Sequence, residues 1–80
     1  MEAYVCGYVR SPFTRAHRGA LKDIRPDDLA GQVAKALLQR EGVSPSELDD
    51  VLVGCAYPEG EQGLNIGRII THYLQGPPDI

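Results

Sequence analysis

Val51-Leu52-Val53-Gly54-Cys55-Ala56 is the stretch on which the fold assignment turns. It is apolar throughout, carries β-branched residues and is short. That combination predicts a strand buried on both faces. A second run of the same kind, Ala3-Tyr4-Val5-Cys6-Gly7-Tyr8-Val9, comes earlier in the chain. It ends at Arg10-Ser11-Pro12, where proline removes a ladder donor. Phe13 to Arg25 shows no period and reads as a loop. A helix pattern lies between the two runs, with Leu29, Val33, Ala36 and Leu37 on one stripe at i, i+4, i+7 and i+8. Pro26 suits the first helical position, Asp27 and Asp28 complement the N-terminal dipole, and Gly42 closes the helix in the left-handed conformation. Arg25 falls at the cap position and is a poor cap, so Asp23 is expected to receive the first backbone donors instead. Strand, helix and strand in that order predict a right-handed βαβ crossover.

After the crossover helix, Ser44-Pro45-Ser46-Glu47 has the form of a capping box with proline at the first helical position, opening one short turn. Pro58 to Gly63 is a polar loop. A second helix is predicted from about Asn65 to Leu74, with Ile66, Ile69, Ile70, Tyr73 and Leu74 on one stripe and Asn65 as its cap. Gly76-Pro77-Pro78 stops it. The expectation is therefore an α/β fold with strand-helix-strand-helix order. Two parallel strands cannot complete a sheet whose strands are covered on both faces, so the 80 residues read as the front part of a larger α/β domain.

Composition narrows the function. At 42% apolar and 24% charged residues, the chain is not a disordered tail. Nine Gly and six Pro without a period exclude collagen and low-complexity linkers. A net charge of −3 argues against a chain that works by gripping nucleic acid. No apolar run approaches the roughly 18 residues of a membrane span, and there is no basic start followed by an apolar stretch. A soluble, cytoplasmic protein without a nucleic-acid partner is expected. Cys6 and Cys55 are too few for a disulfide scaffold and wrongly spaced for zinc, so no metal site is expected.

The candidate residues each have a structural role to weigh against a chemical one. Cys55 and Cys6 lie inside apolar runs without an adjacent cation, which favours packing over nucleophilic catalysis. His17 sits among Arg10, Arg15, Arg18, Lys22 and Arg25, five of the eight basic residues. Such clustering can hold a phosphate or an RNA strand, although a solvated loop or a subunit contact weighs more. His72 has no ligand partner one turn away. Asp27-Asp28 and Asp49-Asp50 have sufficient roles at helix ends and turns. Gly60, Gly63 and Gly67 lack the lysine of a phosphate loop. The stretch from Glu61 to Arg68 is the most functional in character: Glu61, Gln62, Asn65 and Arg68 form a subunit interface or support a neighbouring active-site loop, or else they make an ordinary helix start in which Arg68 pairs with Glu59 or Glu61 at the surface.

Several blocks in order carry a resemblance to a known family. Arg10-Ser11-Pro12-Phe13 resembles the Arg-Thr-Pro segment of the thiolases. Arg18-Gly19-Ala20-Leu21-Lys22-Asp23 followed by Pro26-Asp27-Asp28-Leu29 is similar to the loop and first helix of the degradative 3-ketoacyl-CoA thiolases, or acetyl-CoA acyltransferases. Val53-Gly54-Cys55 and then Glu61-Gln62-Gly63-Leu64-Asn65-Ile66-Gly67-Arg68 resemble their second strand and the Glu-Gln-Gly-x-Asn-x-x-Arg stretch beyond it. The resemblance implies that residues 1–80 are the N-terminal part of a thiolase N-terminal domain, of three-layer α/β/α architecture with a mixed five-stranded sheet. It implies a homodimer or homotetramer that cleaves 3-ketoacyl-CoA with coenzyme A in fatty acid β-oxidation. Coenzyme A would be a substrate, and no cofactor would be bound permanently. The family's nucleophilic cysteine lies in an Asn-Arg-x-Cys segment beyond these residues, so no catalytic residue is carried over. The competing expectation is a truncated fragment or a carrier-like homologue that acts by binding or assembly alone.

Overall fold

The computed structural model describes residues 1–80 and is built on two helices, α1 (Pro26–Glu41) and α2 (Ile66–Tyr73). Two short 3-10 turns, Pro45–Glu47 and Gly60–Gln62, lie between them. The local signals act largely as expected. Pro26 occupies the first turn of α1, and Gly42 ends it at φ 68°. The Gly42 N–H donates to Gln39 O and the Val43 N–H to Leu38 O, which satisfies two of the last carbonyls. Asp23 takes no part at the other end. Asp27 Oδ1 accepts from the Asp28 N–H at 3.0 Å, so the acidic residue inside the first turn does the work expected of Asp23. The Ser44 box is complete: its N–H donates to Glu47 Oε2 at 2.7 Å, and its hydroxyl accepts from the Ser46 N–H at 3.4 Å. Asn65 caps α2 through its side chain, 3.2 Å from the Arg68 nitrogen.

The two helices pack on each other. Ile66, Ile70 and Leu74 of the α2 face are buried, and Ala30, Ala34 and Leu38 of α1 are half-buried against them. The stripe expected on α1 is thus displaced by one position. Ala36 is exposed, while Leu29, Val33 and Leu37 are only half-covered. The reason is steric. The Ala30, Gly31, Ala34 side is the low side of the helix, and the Tyr73 ring lies directly on Gly31. A methyl group added at Gly31 would stand 2.5 Å from Tyr73 Cγ. Thr71 of α2 is also buried, its hydroxyl donating to the Gly67 carbonyl at 2.9 Å, so no polar cost remains.

The α/β expectation does not hold. Neither the 3–9 run nor the 51–56 run forms a strand, no backbone hydrogen bond joins them, and no sheet is present. The chain is not the strand-helix-strand-helix front of a three-layer α/β/α domain with a mixed five-stranded sheet; it is a helical pair with extended connections. The two runs attach to different elements. The first lies at the C-terminal end of α1, where Arg40 donates to the Tyr8 carbonyl at 3.4 Å and sits 5.9 Å from the Tyr8 ring centre. Gly7 meets the Glu41 side chain there. The second run lies on α2, with Val51 and Cys55 packed on the buried cluster and Val51 O against Gly67. A strand needs ladder partners for its N–H and C=O groups, and a run held on a helix has none. Tyr4, Val5 and Leu52 are accordingly 78%, 92% and 89% exposed, where both faces of a strand were expected to be buried.

Candidate functional site

The loop leading into α2 and the first turn of that helix reach three other parts of the chain. Gly60 adopts a φ of 57°, and the N–H of Gly63 closes the turn onto Gly60 O at 3.1 Å. Leu64 and Asn65 then both take left-handed φ values, 56° and 63°. Asn tolerates that region well; Leu does not, and its side chain is 96% exposed. This pair of reversed residues turns the chain so that Asn65 caps the helix.

Each residue singled out in this stretch has a partner inside the chain. Glu61 Oε1 lies 3.7 Å from Arg25 Nη1. Gln62 Oε1 accepts from the Cys55 thiol at 3.3 Å. Arg68 reaches the C-terminal segment, donating to Ile80 O at 2.6 Å and Pro78 O at 3.5 Å, and pairs with neither Glu59 nor Glu61. Glu61, Gln62, Asn65 and Arg68 are thus gathered at one helix start, which they tie to α1, to the 51–56 run and to residues 78–80.

Arg25 is the residue that sequence reasoning undervalued. Its guanidinium makes two bonds of 3.1 Å to the Asp27 carboxylate and reaches Glu61 as well. The hydrogen bond from Arg25 holds the Asp27 carboxyl below its ordinary value. The same bond, with the charge of Asp27, holds the guanidinium above its own. A bond to Glu2 pushes the Tyr4 phenol up. The Asp27 pairing had a local signal, an acid two positions from the arginine. Glu61 had none.

The other candidates stay apart. Cys55 is half-buried and donates a hydrogen bond to a neutral amide oxygen, while Cys6 is exposed. His17 and His72 are exposed and lie on different elements. Asp50 accepts from the Val51 N–H at 2.9 Å, a turn role. No group of three or more His, Cys, Asp or Glu side chains gathers where a metal ion could be held. No helix is long and apolar enough to cross a membrane. What the arrangement can do chemically is brace: it orders a loop and a helix start.

Comparison with known proteins defines the class. The family model for the thiolase N-terminal domain matches residues 3–80, and the chain belongs to the thiolase family. Relatives include the 3-ketoacyl-CoA thiolase of Bacillus subtilis, 44% identical over 69 residues, which are 86% of this chain and 18% of that protein. The β-ketoadipyl-CoA thiolase of Pseudomonas aeruginosa is 44% identical over 79 residues, 98% of this chain and 19% of that protein. The peroxisomal 3-ketoacyl-CoA thiolase 5 of Arabidopsis thaliana is 39% identical over 70 residues, 88% of this chain and 15% of that protein. The chain thus spans under a fifth of the length of these relatives.

Proposed function

We propose that this chain is the N-terminal segment of an acetyl-CoA C-acyltransferase that thiolyses 3-ketoacyl-CoA. The observation that carries the reading is the family match over residues 3–80, joined by relatives named as 3-ketoacyl-CoA thiolases. In such a reaction a cysteine thiolate attacks the keto carbonyl and the carbon–carbon bond breaks to release acetyl-CoA. Coenzyme A then takes the acyl group from the enzyme. The step needs an activated thiolate and donors aimed at the developing oxyanion. Neither cysteine of this chain has those surroundings, so its contribution is to brace the α2 start and the loop before it. A β-ketoadipyl substrate is the second reading, favoured by relatives of that name covering 98% of the chain. We further propose a cytoplasmic homo-oligomer with Glu61, Gln62, Asn65 and Arg68 near the subunit contact; the exposed Leu64 beside them supports an apolar contact there.

The test is the whole enzyme incubated with coenzyme A and either 3-oxohexanoyl-CoA or 3-oxoadipyl-CoA, with products read by mass. Acetyl-CoA from the first substrate supports thiolysis of simple 3-ketoacyl-CoA. Release from the second alone selects the dicarboxylate reading. A folded enzyme that makes no acetyl-CoA from either sinks both. The 80 residues by themselves are expected to turn over neither substrate.

A further inference from the structure

Residues 58–64 form a short strap beside the half-buried Cys55 thiol. No backbone hydrogen bond joins the strap to α1, to α2 or to the 51–56 run. Its Gln62 N–H donates to Glu59 O and its Gly63 N–H to Gly60 O, each at 3.1 Å, so the turn is held together from within. Two side-chain contacts tie it to other elements. Glu61 Oε1 meets Arg25 Nη1 at 3.7 Å, with both side chains half exposed, and Gln62 Oε1 accepts from Cys55 Sγ at 3.3 Å. Arg25 gives its two shorter bonds, both 3.1 Å, to Asp27, so it stays paired when Glu61 leaves. The far end of the strap is strained. Leu64 stands at φ 56° with its side chain exposed, and no packing offsets that conformation.

We infer that this strap is a salt-sensitive latch that opens while α1 and α2 stay packed, and that its opening controls access to the Cys55 thiol. The closing contacts are modest: an exposed ion pair is weak and screened by salt, and a thiol is a poor donor. The left-handed Leu64 works against them, because opening lets it return to an ordinary backbone conformation. The contact between the helices is made by Ile66, Ile70 and Leu74 on Ala30, Ala34 and Leu38, none of which belongs to the strap. Opening therefore uncovers the thiol without dismantling the core.

The test alkylates the 80-residue chain with iodoacetamide, an uncharged reagent, at constant pH and follows the two cysteine peptides by mass. Cys6, which is exposed, is the internal reference. Raising the salt from about 0.02 M to about 0.5 M should raise the Cys55 rate about threefold relative to Cys6, with unchanged helix content by circular dichroism. Glu61→Gln should show the higher rate already at low salt and lose the salt response. Asp27→Asn removes a neighbouring carboxylate but leaves Glu61 its partner, and should keep both the slow rate and the response. Leu64→Asn acts in the opposite direction, because asparagine accepts the left-handed region, and should slow Cys55 by about threefold. A Cys55 rate unmoved by Glu61→Gln overturns the latch, and so does a rate that Leu64→Asn fails to lower. A parallel rise at Cys6, or a fall in helix content as Cys55 becomes reactive, overturns it by assigning the exposure to general loss of structure.

Discussion

Arg25→Ala takes away the two bonds that hold the Asp27 carboxyl below its ordinary value of 3.8. Because the folded value is the lower one, the pairing contributes stability above 3.8 that is lost as pH falls through the depressed value. In the variant, the Asp27 carboxyl carbon is expected to titrate nearer 3.8, and the unfolding midpoint should lose that part of its acid dependence. An unmoved Asp27 titration would show that the guanidinium does not set it. Cys55→Ser is expected to cost about 1 kcal/mol, because the thiol is half-buried on the α2 cluster and a shorter hydroxyl reaches Gln62 poorly. Denaturant titration measures that loss, while turnover of the whole enzyme should stay largely intact. At this scale the sequence was readable wherever the partner is a near neighbour. Gly42, the Ser44 box and the Asn65 cap are local motifs whose residue types specify their geometry. The Arg25–Glu61 contact depends on how α1 and α2 meet, which no local pattern encodes.

Gly31 and Tyr73 set how closely α1 and α2 approach. Alanine in place of glycine inside a helix is usually favourable by about 1 kcal/mol. Here the methyl would collide with the Tyr73 ring, and overpacking typically costs about 1–3 kcal/mol, so Gly31→Ala should be neutral to destabilising. In a Tyr73→Ala background the ring is gone, and the same substitution should become stabilising. A chemical-denaturation cycle on the four proteins reads that change of sign; additive effects would mean the ring does not rest on Gly31. The helices themselves were legible because period, caps and breakers agreed. Their contact face was not, since α1 carries two adjacent apolar rows and only the small side chains of Ala30 and Ala34 permit close approach. The strand expectation failed for a related reason. An apolar run states that a segment seeks cover, and for 51–56 a helix supplied part of that cover where a ladder was expected.

The whole chain is open. Its accessible surface is 6657 Å², against about 4,700 Å² for a compact monomer of this size. Its radius of gyration is 13.7 Å, against about 11.6 Å for 80 residues packed densely. Thermal unfolding of the 80 residues alone is therefore expected to be broad, with dye-detectable apolar surface before the transition. A sharp, calorimetrically two-state melt would contradict that expectation. In the complete enzyme, Arg68→Ala separates two accounts of the α2 start. A shift towards smaller species in sedimentation supports an interfacial arginine. Loss of order confined to residues 78–80, with unchanged assembly, leaves Arg68 as a clasp on the Pro78 and Ile80 carbonyls only.

The Gly31–Tyr73 contact joins positions some forty residues apart, and this has a consequence for the order of events in time. Helix α1, of 16 residues with a complete C-terminal stop, is long enough to flicker into existence by itself within about a microsecond. Helix α2 has eight residues, fewer than the roughly 12–15 at which an isolated helix becomes even marginal in water. It can persist only once its isoleucines have landed on α1. Closure of the intervening loop is then expected to limit the rate. Lengthening that loop in the exposed 57–59 region should slow folding while leaving unfolding nearly untouched.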